Sequence, residues 1–217
     1  MTEAQWAACK NPDQLLDYHR MKKDPRRLRL LAAGCVRLLV TPNTSALAEE
    51  ILDVVERYAD GAATRTEFLA ARKSIRTALK DKTKEPAVLA MKCLGDDAIE
   101  GMTVTLVHAR RRNGAAQCGL IRCVCGNPYR PEAFEPAWLT STVVALAQGI
   151  YDGRAFDRLP ILADALQDAG CVDARVLDHC RGQEPHARGA GWSMGCGGEV
   201  SRPGSSPAGW RRAAEFG

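Results

Sequence analysis

The chain has 217 residues, 46% hydrophobic and 26% charged, with a net charge of +4 and a pI near 8.6. That composition is ordinary for a globular protein with a real core, and too mildly basic to imply a nucleic-acid partner without a concentrated patch. No stretch approaches the roughly 18 apolar residues of a membrane span, and the start, Met1 to Trp6, lacks the basic and apolar regions of a signal peptide, so a cytoplasmic protein is expected.

Helix signals begin at once. Thr2 with Gln5 is a capping-box pattern, opening a helix that carries Trp6 and Cys9. Asn11-Pro12 and Asp24-Pro25 each place a cap residue before a proline at the first helical position. The second of these opens a helix from Arg26 to Leu39, with Leu28, Leu31, Ala32, Cys35 and Leu38/Leu39 on one face. Pro42-Asn43 ends it. A helix from Ser45 to Tyr58 carries Leu47, Ile51, Val54, Val55 and Tyr58 and stops at Asp60-Gly61. Thr64 with Glu67 is a second capping box, ahead of Phe68, Leu69, Ile75 and Leu79, and Lys80 to Lys84 is a polar break.

The middle of the chain gives mixed signals. Val88, Leu89, Cys93 and Leu94 suit a short helix ending at Gly95. Met102 to Val107 alternates like a strand and is β-branched, but a lone strand has no partner, so helix or irregular structure is expected. Arg110-Arg111-Arg112-Asn113-Gly114 reads as a solvated loop. From Leu120 the punctuation sharpens: Gly126-Asn127-Pro128 ends a helix, and Ser141 to Tyr151 forms the next. Asp152-Gly153 turns the chain into a helix carrying Leu159, Leu162, Leu166 and Ala169, which Gly170 closes. Asp173 caps a last short helix. Trp138 and Phe156 are expected in the core.

The sequence therefore predicts an all-α array of short packed helices. It divides into a helical part over 1–82, a connecting segment over 83–117, a helical block over 118–188 and a disordered tail over 189–217.

Two long motif groups carry a resemblance. One is Gly126-Asn127-Pro128-Tyr129-Arg130-Pro131, Pro136-Ala137-Trp138-Leu139, Ile150-Tyr151-Asp152, the run Ala155 to Leu166, Ala169-Gly170-Cys171 and His179-Cys180-Arg181. The other is the Met-Thr-Glu-x-x-Trp start followed by Arg27-Leu28-Arg29-Leu30 and Cys35. Over about residues 1–80 and 118–188 the chain resembles an uncharacterised bacterial family. The resemblance implies an all-helical fold and no particular reaction. The family has an acidic residue and a phenylalanine where this chain has Cys123 and Cys125, and an alanine-rich helix that the middle segment lacks. It also continues past the His-x-Arg-Gly matched by His186 to Gly189 with an apolar Cys-Trp-Val-Val-Asp-type helix. Here the composition turns instead to Gly, Arg, Ser and Pro, so a shifted reading frame after about Gly189 is hypothesised.

Four groupings are candidates for chemistry. Cys123, Cys125, Cys171, His179 and Cys180 offer soft metal ligands, but Cys-x-Cys is tight against the usual C-x₂₋₄-C, and adjacent His179 and Cys180 diverge on a helix. The expectation is buried, reduced thiols, no stoichiometric zinc and no cofactor. Asp152, Asp157, Asp164 and His179 form an acid/base or metal-carboxylate set only if the fold makes them converge. Asp157 reads more simply as an ion-pair partner of Arg154 and Arg158. Lys22, Lys23, Arg26, Arg27 and Arg29 are the densest basic cluster, the place for nucleic acid if any binds, although a solvated face is expected. Tyr129 and Arg130 in a Pro-bounded loop, with Arg154, Asp157 and Arg158, are the candidates for contact with a protein partner. The favoured reading is a non-catalytic interaction or scaffold module with an unknown protein partner.

Overall fold

In the computed structural model the described residues are 1–18, 24–39, 46–78, 90, 92–93, 95–129 and 135–188, with backbone alone at 75–78, 99, 104 and 106–112. Helices are α1 (Glu3–Ala8), α2 (Pro12–Tyr18), α3 (Pro25–Arg37), α4 (Ala46–Ala59), α5 (Arg65–Ala78), α6 (Ala98–Cys125), α7 (Ser141–Gly153), α8 (Leu159–Asp168) and α9 (Ala174–Arg181). Two 3₁₀ turns, Pro136–Trp138 and Phe156–Arg158, flank α7. The fold is all-α, with no strand among the described residues. Residues 19–23, 40–45, 79–89 and 189–217 carry the Lys22/Lys23, Pro42-Asn43, Lys80 to Lys84, Val88-Leu89 and tail expectations, all of which lie outside the described residues.

The local signals act as read. Thr2 and Gln5 cap each other reciprocally, as do Thr64 and Glu67. Asp24 accepts from Arg27 N at 3.1 Å, and Asp173 accepts from Arg175 N at 2.9 Å, so each satisfies an amide that the first helical turn leaves open. Gly61, Gly126 and Gly170 end α4, α6 and α8 with φ of 72°, 72° and 90°. The end of α7 differs from expectation. Gly153 is still helical, and the left-handed residue is Arg154 at φ 50°, a conformation costly for a side chain that must be repaid by its contacts.

Packing separates two clusters. In the first, α3 lies at the centre against α4 and α6, and it is buried from Leu28 to Val36 rather than along one stripe as the sequence pattern suggested. Trp6, Leu15, Ile51, Phe68 and Val124 close around it. Leu69, expected on the apolar face of α5, is exposed. The second cluster joins α7, α8 and α9 through Trp138, Ile150, Leu162, Leu166, Val176 and Cys180.

The segment 98–125 is helical through Met102 to Val107, as expected there, and it corrects the solvated-loop reading of Arg110 to Gly114, which also lies inside α6. Only Asn113 keeps non-helical geometry, at φ −144° and ψ 39°, and its side-chain amide donates to Leu38 O at 3.3 Å. The loop signal marked a kink in a helix whose ends are held by packing.

A charge network around the buried Glu56 ties the two clusters. Glu56, 2% exposed, accepts from Arg37 Nε at 2.9 Å and from Arg154 Nε at 2.7 Å. Asp53 takes Nη2 of both arginines, at 2.9 Å and 2.6 Å. Asp60 accepts from Tyr151 Oη at 2.6 Å and from Arg26 at 2.8 Å. The left-handed turn at Arg154 aims its guanidinium from the α7 side into this α4 pocket of carboxylates.

Candidate metal centre

The last turn of α6, the last turn of α9 and the strap that follows α9 meet at one point. Cys123 Sγ lies 3.4 Å from His186 Nδ1, and the rings of His179 and His186 meet edge to face at 5.0 Å. One ligand atom from each of Cys123, His179 and His186 lies within 4.8 Å of the others. Tetrahedral zinc with ordinary Zn–S and Zn–N bonds sets its ligand atoms about 3.5 Å apart. The Cys123–His186 pair, at 3.4 Å, already has that spacing, and the ligand atom of His179 lies within 4.8 Å of both.

Nε2 of His179 and Nε2 of His186 are both buried without a hydrogen-bond partner, while Nδ1 of His186 is the nitrogen that faces Cys123. Burial, reinforced by the neighbouring His179, holds His186 down to about 4. Burial also lowers His179, against a small opposing pull from Glu184. Both rings are therefore neutral at physiological pH, which is the form that binds a metal.

Two glycines position the strap. An added Cβ on Gly34 of α3 would stand 2.8 Å from Ala187 Cβ, and one on Gly119 of α6 would stand 2.9 Å from Glu184 Oε2 and 3.2 Å from Pro185 Cδ. Gly119 is one turn before Cys123 on the same helix face, so the strap that crosses it delivers His186 to Cys123. Ala187 is then buried in the first cluster. Arg188 extends over the Tyr151 ring at 5.1 Å, 3.5 Å from Glu56 and 3.8 Å from Asp60, and donates to Asp152 O at 3.0 Å.

No protein-family model, curated protein or solved structure matches this chain. The centre stands on its own geometry.

The other expected groupings are dispersed by the fold. Of the metal set weighed from spacing, Cys123 and His179 join the cluster, while Cys125, Cys171 and Cys180 are buried among apolar neighbours apart from it. His179 and Cys180 do diverge: Cys180 enters the second core while His179 faces His186. Burial pushes the Cys93 thiol up to about 11, the state of an inert core thiol. Asp152, Asp157 and His179 do not form one site. Asp152 is exposed and takes Gln148 Nε2 at 2.8 Å, and Asp157 is exposed too. Asp164, also exposed, pairs with Arg181 at 2.7 Å.

Nor does the basic cluster present an open face where it is described. Arg26 pairs with Asp60, Arg27 with Asp24 at 3.2 Å, and Arg29 is buried over the stacked Tyr58 and Phe68 rings at 5.5 Å and 5.9 Å. Among the partner-contact candidates, Arg154 faces inward to Asp53 and Glu56, not to Asp157. Tyr129 is half-buried against the first cluster, with its hydroxyl on Met1 O, rather than displayed. Asp157 and Arg158 are exposed, and Arg130 lies outside the described residues. His186 escaped sequence reasoning because it sits in coil after a helix. The available signal was that two of the chain's four histidines fall within one short segment, on either side of Pro185.

Proposed function

We propose that this is a helical metal-binding protein that holds one borderline-soft divalent ion, zinc in the first instance, on Cys123, His179 and His186. The observation that carries this is the convergence of one thiol and two imidazoles whose ligand atoms lie within 4.8 Å of one another. A donor set of one sulfur and two nitrogens suits zinc, with copper as its competitor, and disfavours magnesium or calcium. The ligands come from three segments that join both hydrophobic clusters, so the ion acts as a cross-link between them. A reducing, cytoplasmic setting is proposed with it, since the buried Cys35, Cys118 and Cys171 form no disulfide.

Cobalt substitution tests the reading. Titration of the metal-free protein with Co²⁺ should produce the near-ultraviolet sulfur-to-cobalt band and the visible bands of tetrahedral coordination. Cys123→Ser should abolish the first. A featureless spectrum in the wild type contradicts the proposal.

A non-catalytic protein-interaction module remains the second reading, and one observation favours it. Ile161 on α8 is 53% exposed, with Asp157 and Arg158 exposed about one turn earlier. A mixed apolar and charged surface of this kind fits a protein partner whose patch is likewise mixed. Crosslinked species in native extract that survive Ile161→Asp would remove that support. The resemblance to a bacterial family adds no activity to either reading.

A further inference from the structure

We infer that metal binding and docking of residues 184–188 are one coupled equilibrium, with Gly34 as the positioning residue that governs it from outside the ligand set. The inference rests on the metal reading above. Its basis is the order of the strap. Glu184 and Pro185 lie over Gly119, His186 meets Cys123 and His179, Ala187 sits on Gly34, and Arg188 enters the Glu56, Asp60 and Tyr151 pocket. Five consecutive residues thus reach α6, α9, α3 and the α4–α7 network in turn. His186 can stand 3.4 Å from Cys123 only while Ala187 is seated.

Gly34 controls that seat because the atom it accommodates has nowhere to go. A Cβ at position 34 would lie 2.8 Å from Ala187 Cβ, and alanine has no rotamer with which to move aside. Only a backbone shift of the strap relieves the overlap, and that shift withdraws His186. The converse follows by linkage. An ion that holds His186 on Cys123 and His179 stabilises the docked strap by as much as docking strengthens ion binding. Gly119 gives the same coupling less firmly, since its first neighbour is the movable end of Glu184 and its next is Pro185 Cδ at 3.2 Å.

The experiment measures Zn²⁺ affinity of the full chain by competition with a chromophoric chelator. The proteins are wild type, Gly34→Ala, Ala187→Gly and the double variant, each with its circular dichroism recorded. Overpacking of this kind should weaken zinc binding about tenfold or more in Gly34→Ala. Ala187→Gly should stay within about threefold of wild type, and the double variant should return to that range because the colliding methyl is gone. Affinity unchanged in Gly34→Ala overturns the coupling while leaving the metal reading intact. Weakening that Ala187→Gly does not relieve also overturns it, since the loss then comes from α3 and not from the seat. A wild type that binds no Zn²⁺ overturns both. Should Gly34→Ala not fold, trypsin cleavage after Arg181 of the wild-type chain decides the matter. Zinc should slow it if docking and binding are linked, and an unchanged rate overturns the coupling.

Discussion

Glu56→Ala is the sharpest probe of what joins the two halves of the molecule. Glu56 is 2% exposed and lies beneath Arg37, Arg154 and Arg188, so removing its carboxylate leaves three guanidinium groups facing a cavity. Breaking a buried pair by deleting one partner costs about 3–5 kcal/mol, mostly because the surviving charge stays desolvated. Asp53 still serves Arg37 and Arg154, and Asp60 still lies near Arg188, which moves the expectation to the lower end, about 3 kcal/mol. That is a large part of the 5–15 kcal/mol typical of a domain. Urea unfolding followed by circular dichroism reads the loss as a lowered midpoint at unchanged slope. Asp157→Ala, at an exposed site, is the control and should move stability by no more than about 0.5 kcal/mol. A Glu56→Ala loss below about 1 kcal/mol would mean that water reaches the network and that it does not hold the seam.

Two further outcomes follow from burial. Trp138 is 6% exposed and packs in the second cluster from a short 3₁₀ turn, so Trp138→Ala should cost about 3–5 kcal/mol, and an unchanged denaturant midpoint would place it outside the core. In the metal-free protein, burial holds His186 at about 4, below the unfolded value of about 6.5, so the folded state binds fewer protons than the unfolded chain between those pH values. Stability from this source is complete above about pH 6.5 and is lost as pH falls towards 4; a chelator-treated protein should show it, His186→Gln should flatten the slope from pH 6.5 to 5, and an unaltered slope would refute the burial of that ring.

What the sequence disclosed was local. Thr2 with Gln5, Thr64 with Glu67, Asp24, Asp173, Gly126 and Gly170 each act on amides or carbonyls within a turn or two, so their residue types alone announce the helix ends. The continuity of α6 was hidden because its evidence is tertiary. Met102 to Val107 has strand-like side chains and Arg110 to Gly114 has loop-like ones, yet packing of α6 against α3 overrides both, leaving only Asn113 outside helical geometry. Arg154 was visible as a charge beside Asp157, whereas its partners Asp53 and Glu56 lie about a hundred residues away. The candidate metal cluster was half legible. Cys123 and His179 stood out as soft ligands, but His186 joins them through the Gly34 and Gly119 seats, and no spacing rule encodes a close approach between a strap and two helices.

The most direct test of the account is the metal content of the protein purified without chelator and dialysed against trace Zn²⁺. Elemental analysis should find about one zinc per chain in the wild type and close to none in His179→Ala/His186→Ala, with both proteins helical by circular dichroism. Wild-type protein that is folded and free of zinc, or a double variant that retains the full equivalent, would contradict the assignment of Cys123, His179 and His186 as a metal centre.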